Sequence, residues 1–205
     1  MKLAAMITIA AMAGPNVQGK AATGRPVTVY LHASVPIIVL AQAQSLAVNM
    51  FADIGVNLKW RSGHPLPSEA NVIVIDVVTG TPAEFKPGAL AFALPFEGVH
   101  VRIFWDRIAA YHWAPRVLAH VMVHEITHIL QGVAEHTEEG IMKARWTDKD
   151  QVSIGLTPLR FTPAGVDVIY KGMEARGVRP GMANAPRLES AKLQEFSAGL
   201  TTGKP

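Results

Sequence analysis

The chain has 205 residues, 49% hydrophobic and 17% charged; this suits one domain with a sizeable core, is too little for two of ordinary size, and excludes disorder as the overall class. A formal net charge of +3, carried by scattered basic residues, gives no support for nucleic-acid binding. There is no cysteine, so disulfides and a lipid-modified cysteine are excluded.

In chain order, Lys2 precedes an apolar run over 3–13, then Gly14-Pro15 and small residues as far as Ala22. That form matches a short secretory signal cleaved within 13–22, with Ala11-Met12-Ala13 and Gly19-Lys20-Ala21 as equal candidates. An apolar strand or helix packed on the domain is the competing reading. The run is too short to anchor in a bilayer, and no other stretch reads as a spanning helix. The expected organisation is a signal peptide at 1–22, one domain at 23–180 and a tail at 181–205.

Residues 27–31 read as a strand, and Pro36 opens a helix over 37–54 that Gly55 stops. Strands follow at 56–60 and 72–78, separated by a loop with Gly63, Pro65 and Pro67. After a Gly/Pro loop over 79–88, the short apolar piece 90–96 suits a sheet edge, and 99–105 is a further strand. A helical turn is expected over 106–112. Pro115 suits the first turn of a longer helix running to about Gln131, with Val117, Leu118, Val121, Met122, Ile126 and Leu130 facing the sheet. Residues 148–161 are mixed in character. Thr162-Pro163 caps a helix over 164–176, and an amphipathic turn or a loose end completes the tail around 188–196. His32, His64, His100 and His112 lack metal-ligand spacing and read as structural or exposed.

One stretch carries chemistry: His124-Glu125-Ile126-Thr127-His128, then Gly132, His136 and Gly140-Ile141-Met142. Residues four apart share a helix face, so His124 and His128 can turn two imidazoles to one cation. A carboxylate beside them, Glu125, can take a proton from water and hand it to a leaving amine. Catalytic zinc usually has three protein ligands, and His136 supplies the third if Gly132 ends the helix and turns the chain back. His120 repeats the same spacing, but eight helical residues rise roughly 12 Å, far beyond two zinc–nitrogen bonds of about 2.0–2.1 Å. It therefore belongs to the core or stands behind the ligands. Glu135, Glu138 and Glu139 lie too close to the helix and are fallback ligands only. The competing reading is a chance match on an amphipathic helix, with both histidines merely hydrogen-bonded.

The stretch resembles the metzincin clan of zinc peptidases, whose pattern is H-E-x-x-H-x-x-G-x-x-H followed by a Met-turn. Here the glycine falls eight positions after His124 instead of seven and the third histidine twelve instead of ten, with Ala134 in the usual ligand place. Met142 follows His136 by six residues, where matrixin-like members commonly have eight. The widened form is similar to a bacterial group of exported zinc peptidases. The resemblance implies an α+β, metzincin-like zincin: a mixed twisted sheet, an active-site helix and a small C-terminal subdomain. It implies Zn2+ held by His124, His128 and His136, Glu125 as general base, Met142 as a hydrophobic floor, and residues 90–94 as the edge to which an extended substrate pairs. Residues 143–146 would wall a substrate pocket, or Trp146 would be core. The cysteine-thiolate latch of some matrixin relatives is ruled out. The expected activity is that of a secreted or periplasmic zinc endopeptidase acting on a peptide or protein, with no nucleic-acid partner and no stable membrane insertion. The alternatives are a catalytically inactive exported zinc-binding module of the cell envelope and a non-enzymatic domain with structural histidines. Oligomeric state is not legible.

Overall fold

The structure is a computed structural model and describes residues 25–178; the signal peptide expected at 1–22 and the tail expected at 181–205 lie outside the described residues. Five strands form one mixed sheet in the order β2-β1-β3-β5-β4. Strand β1 (Arg25–Ala33) runs parallel to both β2 (Val56–Arg61) and β3 (Val72–Val78), and β3 runs parallel to β5 (His100–Phe104). Only β4 (Ala91–Ala93) is antiparallel, paired with β5 at one edge. The alternation of side chains sorts the sheet into two faces. Val27, Val29 and Leu31 of β1, Ile73, Ile75 and Val77 of β3, and Val101 and Ile103 of β5 join the main core. Tyr30, Val72 and Val74 form a small separate cluster on the other face.

The main core is closed by helices. Helix α1 (Ile37–Ala52) has no charged side chain and buries Ala43, Ala47, Met50 and Phe51, the i, i+4, i+7, i+8 spacing of a single helical stripe. It ends two residues before the expected limit, because the amide N–H groups of Ile54 and Gly55 bond back to Phe51 and Ala52 in a closing turn at Gly55, φ 71°. The short α2 (Trp105–Ile108) follows β5 directly and starts one residue earlier than expected.

Helix α3 (Ala114–Gln131) was expected to show one apolar face. Every residue from Val117 to Leu130 is instead buried, because α1, α5, α4, α2, β4 and β5 all pack against it. Burying each Leu, Ile or Val side chain contributes about 1.5–3 kcal/mol. The apolar residues of α3 thereby offset the cost of keeping His120, His124, Glu125, Thr127 and His128 out of water. The chemistry-bearing residues sit on the most enclosed helix of the fold.

Two C-terminal helices brace α3. Helix α4 (Asp148–Leu156) was not foreseen within the mixed stretch; its start is fixed by a reciprocal cap in which Thr147 Oγ1 accepts from the Asp150 N–H while the Thr147 N–H donates to the Asp150 carboxylate at 2.7 Å. Arg116 Nε donates to the Ile154 carbonyl, tying α4 to the first turn of α3. Helix α5 (Pro163–Val178) crosses the end of α3 at Gly172, where a Cβ would meet the Leu130 carbonyl oxygen at 2.0 Å. Tyr170 bonds the Ile54 carbonyl, and Arg176 reaches the Gly98 carbonyl at 2.6 Å. Among the described residues no helix is long and apolar enough to cross a membrane.

Candidate metal centre

Helix α3 stops at Gly132, which takes the left-handed conformation, φ 70° and ψ 20°, and donates its N–H to the His128 carbonyl at 2.9 Å. The chain then folds back so that the Val133 carbonyl faces His128 Nδ1 at 3.0 Å and the His136 ring comes beside both helical histidines. The ring centroids lie 4.7 Å apart for His124 and His128, 4.8 Å for His128 and His136, and 5.3 Å for His124 and His136. One nitrogen from each ring falls within 4.8 Å of the others, and the three can hold a metal ion. The two-residue widening of the segment after His128 does not keep His136 from the group.

The hydrogen bonds fix which nitrogens are free. A carbonyl oxygen only accepts, so His124 Nδ1, 2.9 Å from the Ile141 oxygen, and His128 Nδ1, 3.0 Å from the Val133 oxygen, both carry hydrogens. The opposite nitrogens are then bare. His124 Nε2 and His128 Nε2 nevertheless approach to 3.0 Å; two lone pairs at that distance repel unless a proton or a cation joins them. His136 Nε2 is buried with no hydrogen-bond partner. Two bonds of about 2.05 Å at a tetrahedral ion separate their nitrogens by ~3.4 Å, so the spacing of the helical pair is within a few tenths of an ångström of what zinc requires. The donor set fits the ion.

Electrostatics agree. Burial pushes His124 well below the ordinary histidine range, and the neighbouring His128 and His136 add to it. Burial, together with His136, lowers His128 to about 4, and burial lowers His136 as well. The three rings are thus neutral near pH 7, the state in which imidazole binds metal. Glu125 is 1% exposed, neither carboxylate oxygen has a partner, and burial alone raises it to about 8. A buried acid without a partner is costly; a nearby cation would relieve that cost and favour the charged form.

Backbone acceptors and one aromatic ring complete the site; the acceptors were missed in the sequence because a carbonyl leaves no mark in residue type, whereas Trp146 was read as pocket wall or core. Gly140, φ 74°, permits the turn that aims the Ile141 carbonyl; a Cβ there would meet the Arg160 carbonyl oxygen at 2.4 Å. The Ile141 N–H donates to that same Arg160 oxygen at 2.9 Å, and the Thr137 N–H donates to Met142 at 2.8 Å. Met142 is buried within the main core. Trp146, weighed above as a pocket wall, is core: it is 2% exposed and lies edge-on to both His124 and His120, at 5.9 and 6.0 Å. Lys143 is paired with Asp150. His120 has both ring nitrogens engaged, Nδ1 with the Arg116 carbonyl at 2.7 Å and Nε2 with the Leu159 N–H at 3.1 Å, so it has no nitrogen left to join the other three. Glu135, Glu138 and Glu139 do not join the group.

The fold has a counterpart among solved structures. The crystal structure of the archaemetzincin from Methanopyrus kandleri matches with a TM-score of 0.50, over 77% of this chain and 99% of that one, at 10% sequence identity. The fold is zincin-like. At that identity the likeness carries the zincin-like fold and not an activity. No family model matches this zincin-like chain, and no curated protein does.

Proposed function

We propose that this protein is a zinc-dependent endopeptidase in which His124, His128 and His136 hold the metal and Glu125 is the general base. The observation that carries the reading is the convergence of three imidazoles, two with a bare Nε2 set by backbone carbonyls and the third with its Nε2 buried and unpartnered, next in sequence to a buried carboxylate that has no other partner. Bound zinc supplies Lewis acidity, polarising a peptide carbonyl and easing loss of a proton from water. The chain's own residues do the rest. Glu125 accepts the proton of the attacking water and returns it to the leaving amine, the role a partnerless carboxylate is free to play. The enclosed α3 keeps the two helical imidazoles rigid, which is what a preorganised site demands.

Strand β4 is the edge strand of the sheet, and we assign it the pairing with an extended substrate. Its cross-strand partners place Phe92 opposite Arg102, with the Phe104 N–H bonded to the Leu90 carbonyl at 2.8 Å and the Leu94 N–H to the His100 carbonyl at 3.1 Å. By the alternation of an antiparallel ladder, the backbone groups of Ala91 and Ala93 point away from β5, toward the outer edge of the sheet, where both residues are covered, at 0% and 1% exposure. An extended peptide added there would run as a further strand. Export to a secreted or periplasmic location rests on Lys2 and the apolar run over 3–13. Zinc-loaded protein should cut a diverse peptide library, read by mass spectrometry, and Glu125→Ala protein should not; equal cleavage by both would overturn the role of Glu125. Zinc retained with no cleavage by either would favour the inactive zinc-binding module.

A further inference from the structure

We infer that Trp146 is a positioning residue for the metal centre: its indole N–H holds the Ile141 carbonyl in the direction that makes His124 a ligand. The inference rests on the zinc reading above and goes beyond it, because Trp146 offers the ion nothing itself.

The Ile141 carbonyl oxygen accepts two hydrogen bonds, one from His124 Nδ1 at 2.9 Å and one from Trp146 Nε1 at 3.3 Å. A carbonyl has two lone pairs, and here both are taken by rings that sit edge-on to each other, 5.9 Å apart at 86°. The indole therefore braces the acceptor that sets the His124 tautomer. On its other side Trp146 lies edge-on to His120, 6.0 Å apart at 85°. His120 is locked in turn by Arg116 and by the Leu159 N–H. The Ile141 peptide is also held from its N–H side by Arg160. Segment 157–162 holds Ile141 and α3 packs on Trp146, and the indole N–H links the two by its bond to the Ile141 carbonyl. Partners of this kind, one shell away from the metal, typically set ligand orientation and basicity.

A purely structural tryptophan would fill the same volume. The two roles separate in Trp146→Phe, which keeps an aromatic ring against His120 and His124 but removes the N–H. Trp60→Phe is the matched control, since Trp60 Nε1 is buried without a partner and Trp60 packs on the core from β2. Zinc dissociation constants from competition with a chromogenic chelator should be about tenfold weaker for Trp146→Phe, the lower end of the usual cost of losing such a partner, and unchanged for Trp60→Phe. In 1H–15N spectra of the histidine rings, the His124 Nδ1–H should exchange with solvent faster in Trp146→Phe than in wild type. Unchanged affinity and unchanged exchange in Trp146→Phe would overturn the positioning role while leaving the zinc reading intact. Wild-type protein that takes up no zinc would overturn both.

Discussion

Two histidine sites lie on opposite faces of the sheet, and their surroundings push their pKa values in opposite directions. On the helix-covered side, His124 and His128 each turn one nitrogen to a backbone carbonyl and leave the other bare, and burial keeps them neutral. On the open face, His32 has Nδ1 2.9 Å from Asp76 Oδ1 and Nε2 2.7 Å from the Gly63 carbonyl oxygen. Both of those partners only accept, so the ring satisfies both only by donating twice, as a cation; the Gly63 carbonyl, then Asp76, raises its pKa. The residue type is the same, and the acceptors decide its state: one acceptor and a dry pocket leave a bare nitrogen, while two acceptors and partial solvent favour an ion pair.

Four changes test that contrast, in falling order of expected effect. Glu125→Ala should lower peptide cleavage by about 10²–10⁴-fold, the usual span for a lost general base, while zinc content by mass spectrometry stays the same. Removing zinc with a chelator should destabilise the protein by about 2.7 kcal/mol relative to zinc at 100 times its Kd, roughly 5–10 °C in Tm for a domain of this size. In calorimetry, His32→Gln should show the same zinc-dependent difference, and a His32 variant that loses it would erase the distinction between the two sites. Gly140→Ala should cost about 1–3 kcal/mol in urea unfolding, from its positive φ and the approach to Arg160, and should weaken zinc binding by displacing the Ile141 carbonyl. The smallest effect belongs to His32. Its raised folded value means that its contribution is complete below the unfolded pKa of about 6.5 and is lost as pH rises through the folded value. Wild type should therefore exceed His32→Gln in stability at pH 5, by less than about 1 kcal/mol because the pair is partly solvated. The gap should close in alkaline buffer, and a gap that widens with pH would contradict the doubly donating ring.

The contrast also explains what was legible in the sequence. Strands 27–31, 56–60 and 72–78 announce themselves through runs of β-branched and apolar residues, and each lies within an observed strand. The spacing of His124, His128 and His136 survives into the fold because helix geometry fixes two of the three and Gly132 the turn to the third. Helix α4 escaped notice: its apolar residues Val152 and Leu156 are exposed and only Ile154 is buried, so no periodic stripe marks it, and its start lies in a Thr147/Asp150 cap. The unbroken burial of α3 from Val117 to Leu130 was hidden too, since it depends on elements that arrive from both ends of the chain. The state of each histidine is set by Val133, Ile141 and Gly63 through their carbonyls, and every residue carries a carbonyl.

The central claim is that three histidines bind one zinc ion, and zinc K-edge absorption with metal stoichiometry tests it most directly. Wild type and Glu125→Ala should each retain one zinc per chain through gel filtration, with three nitrogen ligands at about 2.0–2.1 Å, and His136→Ala should lose the metal or keep only two of those nitrogens. A His136→Ala protein with an unchanged zinc spectrum would place the metal elsewhere and contradict the account.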